Sequence, residues 1–211
     1  MANTGSSLGL IGGTFNPIHN GHLLAAEYVR CEFGLGKVLF VPSARPPHKE
    51  GVAIIPGEER CSMVKLAIND NPYFQVSTLE LERPGPSYTV DTLAYYQEHY
   101  PGTTIYFIMG TDSLLLMETW KDLERLACSG RFIVVTRPGY KVDLMQPSLV
   151  HLPAALWENL RFLEIPGFDI SSSDIRRRVA EGKSIKYLLP AQVEEYIYTR
   201  QLYSTKGDGP C

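Results

Sequence analysis

Short apolar runs of four to six residues alternate along the chain with longer stretches whose apolar side chains recur every three to four positions. The first run, residues 8–11, reads as a buried strand closed by Gly12 and Gly13. The pattern then predicts a helix over 21–33, a strand over 38–41 stopped by Pro42, and a Pro-rich loop over 43–57. A helix over 58–70 carries Met63, Val64, Ala67 and Ile68 as its apolar stripe. Residues 74–79 alternate like a strand, 89–100 read as a helix, and 104–109 form another apolar strand followed by helical patterning to Cys128. A short strand over 132–135 ends at Arg137-Pro138-Gly139, residues 150–160 follow neither period, and 162–165 form a last strand. Helices over 172–181 and 191–203 close the pattern, and residues 205–211 read as a flexible tail.

Strands separated by helices imply βαβ units, so the expected architecture is α/β: a Rossmann-like, doubly wound parallel sheet with helices on both faces and a small C-terminal helical portion. Crossovers should be right-handed. Residues 1–204 are expected to form a single domain. In such sheets ligands bind beyond the carboxyl ends of the strands, where the strand order reverses. The segments that follow the strands therefore carry the chemistry.

Composition narrows the partners. With 20 Lys+Arg against 23 Asp+Glu the formal charge is −3, which argues against a nucleic-acid binder working by broad phosphate neutralisation. The one dense basic cluster, Arg176-Arg177-Arg178, is large enough only for a small anion. Cys31, Cys61, Cys128 and Cys211 form no C-x-x-C; the first three sit in apolar contexts and read as reduced thiols. No apolar run reaches the roughly 20 residues of a membrane span, and residues 1–7 lack the features of a secretory signal. The expected location is the cytoplasm, without membrane or nucleic-acid partners, as a monomer or homo-oligomer.

After the first strand comes Gly12-Gly13-Thr14-Phe15-Asn16-Pro17-Ile18-His19-Asn20-Gly21-His22. Two glycines let the backbone approach a ligand and expose N–H groups. Asn20 is the expected N-cap of the next helix, whose N-terminus suits phosphate. His19 and His22 straddle that helix start, and Gly21 leaves room for an anion. Taken alone, the two histidines could be a structural pair or two zinc ligands. A zinc site needs further ligands, and neither the H-E-x-x-H of a hydrolase nor the G-x-G-x-x-G of a dinucleotide-binding dehydrogenase is present.

This element resembles the motif of the nucleotidyltransferase superfamily in which two histidines flank an x-Gly pair, and its eleven-residue form looks like that of bacterial nicotinate mononucleotide adenylyltransferases. Asn16 stands where Asp is commoner in that family; it keeps the turn-forming hydrogen bonds and loses a charge. Later segments carry the same resemblance in the same order, from about Leu8 to Leu202. Arg45-Pro46-Pro47-His48-Lys49 is similar to the family's loop over the triphosphate and pyridine mononucleotide, which implies that Lys49 touches phosphate. Ser87-Tyr88-Thr89 opens a helix, with Ser87 or Thr89 as the expected N-cap; it resembles the segment that holds the nicotinate ring and carboxylate. Gly110 and Asp112 follow a strand end, and Asp112 can accept a ribose hydroxyl or cap a helix. Trp120-Lys121 sits where the family places a tryptophan near the mononucleotide base; by itself Trp120 reads more simply as core. Ile170-Ser171-Ser172-Ser173-Asp174-Ile175-Arg176 resembles the family's I-S-S-T-x-I-R element, a second helix start with Ser172, Ser173 and Arg176 on one side.

The resemblance implies condensation of ATP with nicotinate mononucleotide to nicotinate adenine dinucleotide and pyrophosphate, without a covalent enzyme intermediate. His19, His22, Arg176 and Lys49 are the expected catalytic residues. Gly12, Gly13, Thr14, Phe15, Gly21, Gly110, Asp112, Ser172 and Ser173 would bind ATP, and Tyr88, Thr89 and Trp120 the mononucleotide. Mg2+ would arrive with ATP, since no carboxylate cage is evident and no protein metal ligands are expected. The same chemistry on nicotinamide mononucleotide or another phosphorylated acceptor is the nearest alternative, and a non-catalytic nucleotide sensor is the alternative from another class.

Overall fold

In the computed structural model, residues 6–45, 54–140, 142–167 and 169–204 are described. Lys49 and the expected tail, 205–211, lie outside them. Six parallel strands form one sheet: β1 (Ser7–Gly13), β2 (Lys37–Pro42), β3 (Phe74–Val76), β4 (Thr104–Gly110), β5 (Arg131–Thr136) and β6 (Leu160–Glu164). Their order is β3-β2-β1-β4-β5-β6, so the winding reverses between β1 and β4. Leu10 is in register with Leu39 on one side and Phe107 on the other.

The alternation of strand side chains sorts the core into two layers. Leu8, Leu10, Leu39, Val41, Phe107, Met109, Phe132 and Val134 face one layer. Ile11, Val38, Phe40, Ile108 and Ile133 face the other. The first layer is covered by α4 (Thr89–His99), α5 (Thr111–Leu115), α6 (Leu123–Cys128), α7 (Pro147–Val150) and α8 (Ala154–Asn159). The second is covered by α1 (Asn20–Glu32), α2 (Gly57–Ala67), α9 (Ser172–Ala180) and α10 (Ala191–Thr199). The doubly wound α/β architecture is thus the observed one, and the C-terminal helices pack beside α1 and α2. Among the described residues no helix is long and apolar enough to cross a membrane.

Several local expectations are corrected. The strand predicted over 74–79 ends at Val76, because Ser77 Oγ accepts the N–H of Leu79 and starts the short α3 (Leu79–Glu82). The helical stretch after β4 breaks into α5, a 3-10 turn (Met117–Thr119) and α6, with Trp120 extended and Asp122 left-handed at φ 52°. Residues 150–160, which follow neither period, hold all of α8. Of the three cysteines expected in apolar contexts, only Cys61 is buried; Cys31 and Cys128 are exposed.

Candidate active site

Two cavities open at the carboxyl edge of the sheet, on either side of the reversal point. One, of about 660 Å³, is lined by the turn after β1, His19, Gly21, His22, Gly110, Asp112, Ser172, Ser173 and Arg176. The other, of about 490 Å³, is lined by Ser87, Tyr88, Thr89, Glu80, Trp120 and Lys121. Gly12, Gly13, Thr14, Met109 and Ser113 line both. Of the expected site residues, the phosphate and ATP group therefore gathers in the larger cavity and the mononucleotide group in the smaller. Lys49 lies outside the described residues.

The turn after β1 is built from both sides. A Cβ at Gly12 would come within 3.1 Å of the Phe107 ring, and one at Gly13 within 3.1 Å of Phe15, so both positions are crowded by aromatic rings. Phe15 has φ 47° and sends its side chain into the core; what it offers a ligand is backbone. Four carbonyls behind this turn are occupied. Gly13 accepts from Ser43 N–H at 2.9 Å, Thr14 from Arg60 Nη1 at 2.6 Å, and Asn16 from Arg176 Nη1 at 2.8 Å. Ser172 Oγ donates to Pro17 at 2.8 Å. The Asn16 side chain accepts from Tyr203 Oη at 2.9 Å.

His19, rather than Asn20, is the N-cap of α1. The Asn20 amide instead donates to the Tyr187 carbonyl at 2.8 Å, and its N–H to Leu188 at 3.0 Å, tying the helix start to the segment before α10. His19 N–H donates to His22 Nδ1 at 3.2 Å, and the rings stack with centroids 3.7 Å apart. His22 also meets Phe15 edge-on at 5.1 Å. His19 is buried, and desolvation lowers its pKa to about 4, so it is neutral at pH 7. Its Nδ1 has no hydrogen-bond partner among the described residues. Gly21 lines the larger cavity, and a Cβ there would also lie 3.1 Å from His19 Nδ1, so glycine makes room for the imidazole as well.

At the start of α9, Ser171 is the N-cap, accepting the N–H of Asp174 at 3.1 Å. Ser172 spends its proton on Pro17, whereas Ser173 Oγ accepts from Arg176 Nη2 at 3.2 Å. Arg176 thus joins the start of α9 to the turn after β1. In the smaller cavity the N-cap of α4 is Tyr88, not Ser87 or Thr89. The Ser87 hydroxyl is drawn off to accept the N–H of Ala44 at 2.9 Å. Trp120 meets Phe107 edge-on at 6.0 Å and still lines the cavity, so it is both core and wall. Lys121 lies over the Tyr88 ring at 4.4 Å and pairs with Asp91 at 3.2 Å. Gly110 caps α5, and Asp112 stands in its first turn.

Sequence reasoning missed Arg60, Glu80 and Tyr203. Arg60 stands one turn before Met63 and Val64 in the apolar stripe of α2, and an arginine in that register was the available signal. Glu80 is buried beside the smaller cavity; burial raises its pKa, and Thr92 donates to it at 2.6 Å. Neither Glu80 nor Tyr203 stands in a local pattern that marks it.

The cytidylyltransferase-like family model matches residues 10–178. A probable nicotinate-nucleotide adenylyltransferase of Moorella thermoacetica is 48% identical over 203 residues, 96% of this chain and 94% of its own length. One from Symbiobacterium thermophilum is 45% identical over 203 residues, 95% of this chain and 98% of its own. The nicotinic acid mononucleotide adenylyltransferase of Plasmodium falciparum, solved with NaAD, superposes with a TM-score of 0.75 over 94% of this chain and 97% of its own. At 21% identity that likeness concerns the fold.

Proposed function

The chain belongs to the cytidylyltransferase-like family and, within it, to the nicotinate-nucleotide adenylyltransferases, and on that premise we propose how its residues divide the reaction. The enzyme transfers the adenylyl group of ATP to nicotinate mononucleotide, giving nicotinate adenine dinucleotide and pyrophosphate, a step of NAD biosynthesis. A phosphate oxygen of the mononucleotide attacks the α-phosphorus, the bond from that phosphorus to the bridging oxygen breaks, and pyrophosphate leaves with the electron pair. The nucleophile is already an anion, so no general base and no covalent intermediate are needed. Catalysis is positioning and charge stabilisation.

The observation that carries this division is the pair of cavities meeting at Gly12, Gly13 and Thr14. ATP occupies the larger and the mononucleotide the smaller, so the two phosphates meet over the turn. Backbone N–H groups of residues 12–15 and the start of α1 at Gly21 receive phosphate oxygens. His19, neutral, and His22 donate hydrogen bonds to the transferring group and the leaving pyrophosphate. Arg176 and Ser173 hold the β/γ end, Ser172 keeps the turn in place, and Gly110 and Asp112 meet the ribose. Tyr88, Thr89 and Trp120 hold the nicotinate ring. Lys49 closes over the triphosphate by resemblance alone.

A nucleotidyltransferase of ATP works with a divalent metal. Among the described residues no three His, Cys, Asp or Glu side chains group to hold one. Mg2+ arriving with ATP is the reading proposed for that role. Residues 1–204 act as one nucleotidyltransferase domain, and the working compartment is the cytoplasm.

The test follows pyrophosphate release from ATP and Mg2+ with nicotinate mononucleotide or nicotinamide mononucleotide. Turnover mainly with the acid form is expected, and a folded His22→Ala variant should lose on the order of 10²–10³ in kcat. No turnover with either acceptor would reject the reading, and comparable turnover with both would reject its acid preference.

A further inference from the structure

Four carbonyls behind the turn after β1 are tied by side-chain or backbone donors, and three of those donors belong to β2's end or to the Ser172–Arg176 element. The fourth, Arg60, comes from the middle of the chain and lines neither cavity. Its side chain is 1% exposed. Nη1 donates to the Thr14 carbonyl at 2.6 Å and Nε to the Ile55 carbonyl at 3.1 Å. Both partners are neutral, and among the described residues no carboxylate pairs with it. A guanidinium keeps its charge in a protein. Burying a charge without a counter-ion is costly, and helix stability alone gives no reason to do so. The position does make sense behind a backbone turn that receives a polyanion, whose phosphates would supply negative charge that the described residues do not.

We propose that Arg60 is a positioning residue for the triphosphate: its planar fork clamps the Thr14 and Ile55 carbonyls together, which sets the turn of residues 12–16, and its buried positive charge favours a polyanion on the far side. This inference rests on the adenylyltransferase reading above, and it concerns the ATP side only. A lysine cannot reproduce it, because one ammonium on a flexible stem does not hold both carbonyls in a fixed geometry.

The experiment compares wild type, Arg60→Met and Arg60→Lys. ATP binding without acceptor is read by calorimetry, steady-state KM and kcat are read for both substrates, and folding is read by circular dichroism. Arg60→Met is expected to weaken ATP binding at least tenfold and to lower kcat/KM for ATP about 100-fold, with the mononucleotide KM within twofold of wild type. Arg60→Lys should recover part of the loss and stay three- to tenfold below wild type. Folded Arg60→Met with wild-type ATP binding, or with equal losses toward both substrates, would overturn the proposal. If Arg60→Met fails to fold, Arg60→Lys decides: a selective ATP defect supports the clamp, and behaviour identical to wild type removes it. Absence of turnover in wild type would count against the enzyme reading, whereas the calorimetric comparison would still decide the role of Arg60.

Discussion

The imidazoles of His19 and His22 stack with their centroids 3.7 Å apart, and the backbone N–H of His19 donates to Nδ1 of His22. The hydrogen bond fixes His22 Nδ1 as the acceptor, which leaves the ring's proton on Nε2 when it is neutral. One helix start therefore holds two imidazoles in a set geometry before any substrate arrives.

Burial of His19 makes stability depend on pH. Its folded pKa of about 4 lies below the ordinary 6.5, so the unfolded chain binds more protons between those values. Stability is full above about pH 6.5 and is lost as pH falls through the window, by up to ~3 kcal/mol at pH 4. Urea unfolding at pH 7 and pH 4.5 checks this against His19→Gln, whose stability should fall less over the same interval. Parallel pH curves for the two proteins would contradict it.

A methyl group on residue 21 should displace His19. The added Cβ would stand 3.1 Å from Nδ1, and the ring is already stacked against His22. Gly21→Ala should lower kcat about 10-fold or more while costing little stability, since alanine is the better helix former. Kinetics beside a thermal melt separate the two effects; an unchanged kcat would mean that His19 has room to spare.

Loss of Arg176 removes the proposed phosphate ligand and unties Asn16 from α9 at once. Arg176→Ala should raise the KM for ATP at least tenfold, about 1.4 kcal/mol, and leave the mononucleotide KM within twofold. Equal shifts in both values would place the effect in the shared turn instead.

Trp120 is expected to act on the other substrate. Trp120→Ala removes a ring stacked edge-on to Phe107 and a wall of the smaller cavity. A ring contact with nicotinate would be worth roughly 0.5–1.5 kcal/mol beyond area burial, so the mononucleotide KM should rise about three- to tenfold. An unchanged value, with the melting temperature lowered, would leave Trp120 as core alone.

What the sequence determined by itself is local. Short apolar runs and their glycine or proline stops were enough to read β1, β2, β4 and β5, and the winding of an α/β sheet follows from their alternation with helices. The glycine pair, the two histidines and the Ser172–Arg176 element were also legible, because each is a helix start or strand end defined within a few residues. What the tertiary structure decided is which of these ends meet. Arg176 reaches Asn16 across 160 residues, and Asn20 is taken from its capping position by Tyr187, 167 residues away. A capping preference of about 1 kcal/mol is small enough for one such contact to redirect it. Arg60 stands just before the apolar stripe of α2, and only the tertiary structure buries it and brings the Thr14 carbonyl within 2.6 Å of its guanidinium. Spacing along a chain encodes periods of two and 3.6 residues; the pairing of distant carbonyls and donors exists only after the strands have taken their order in the sheet.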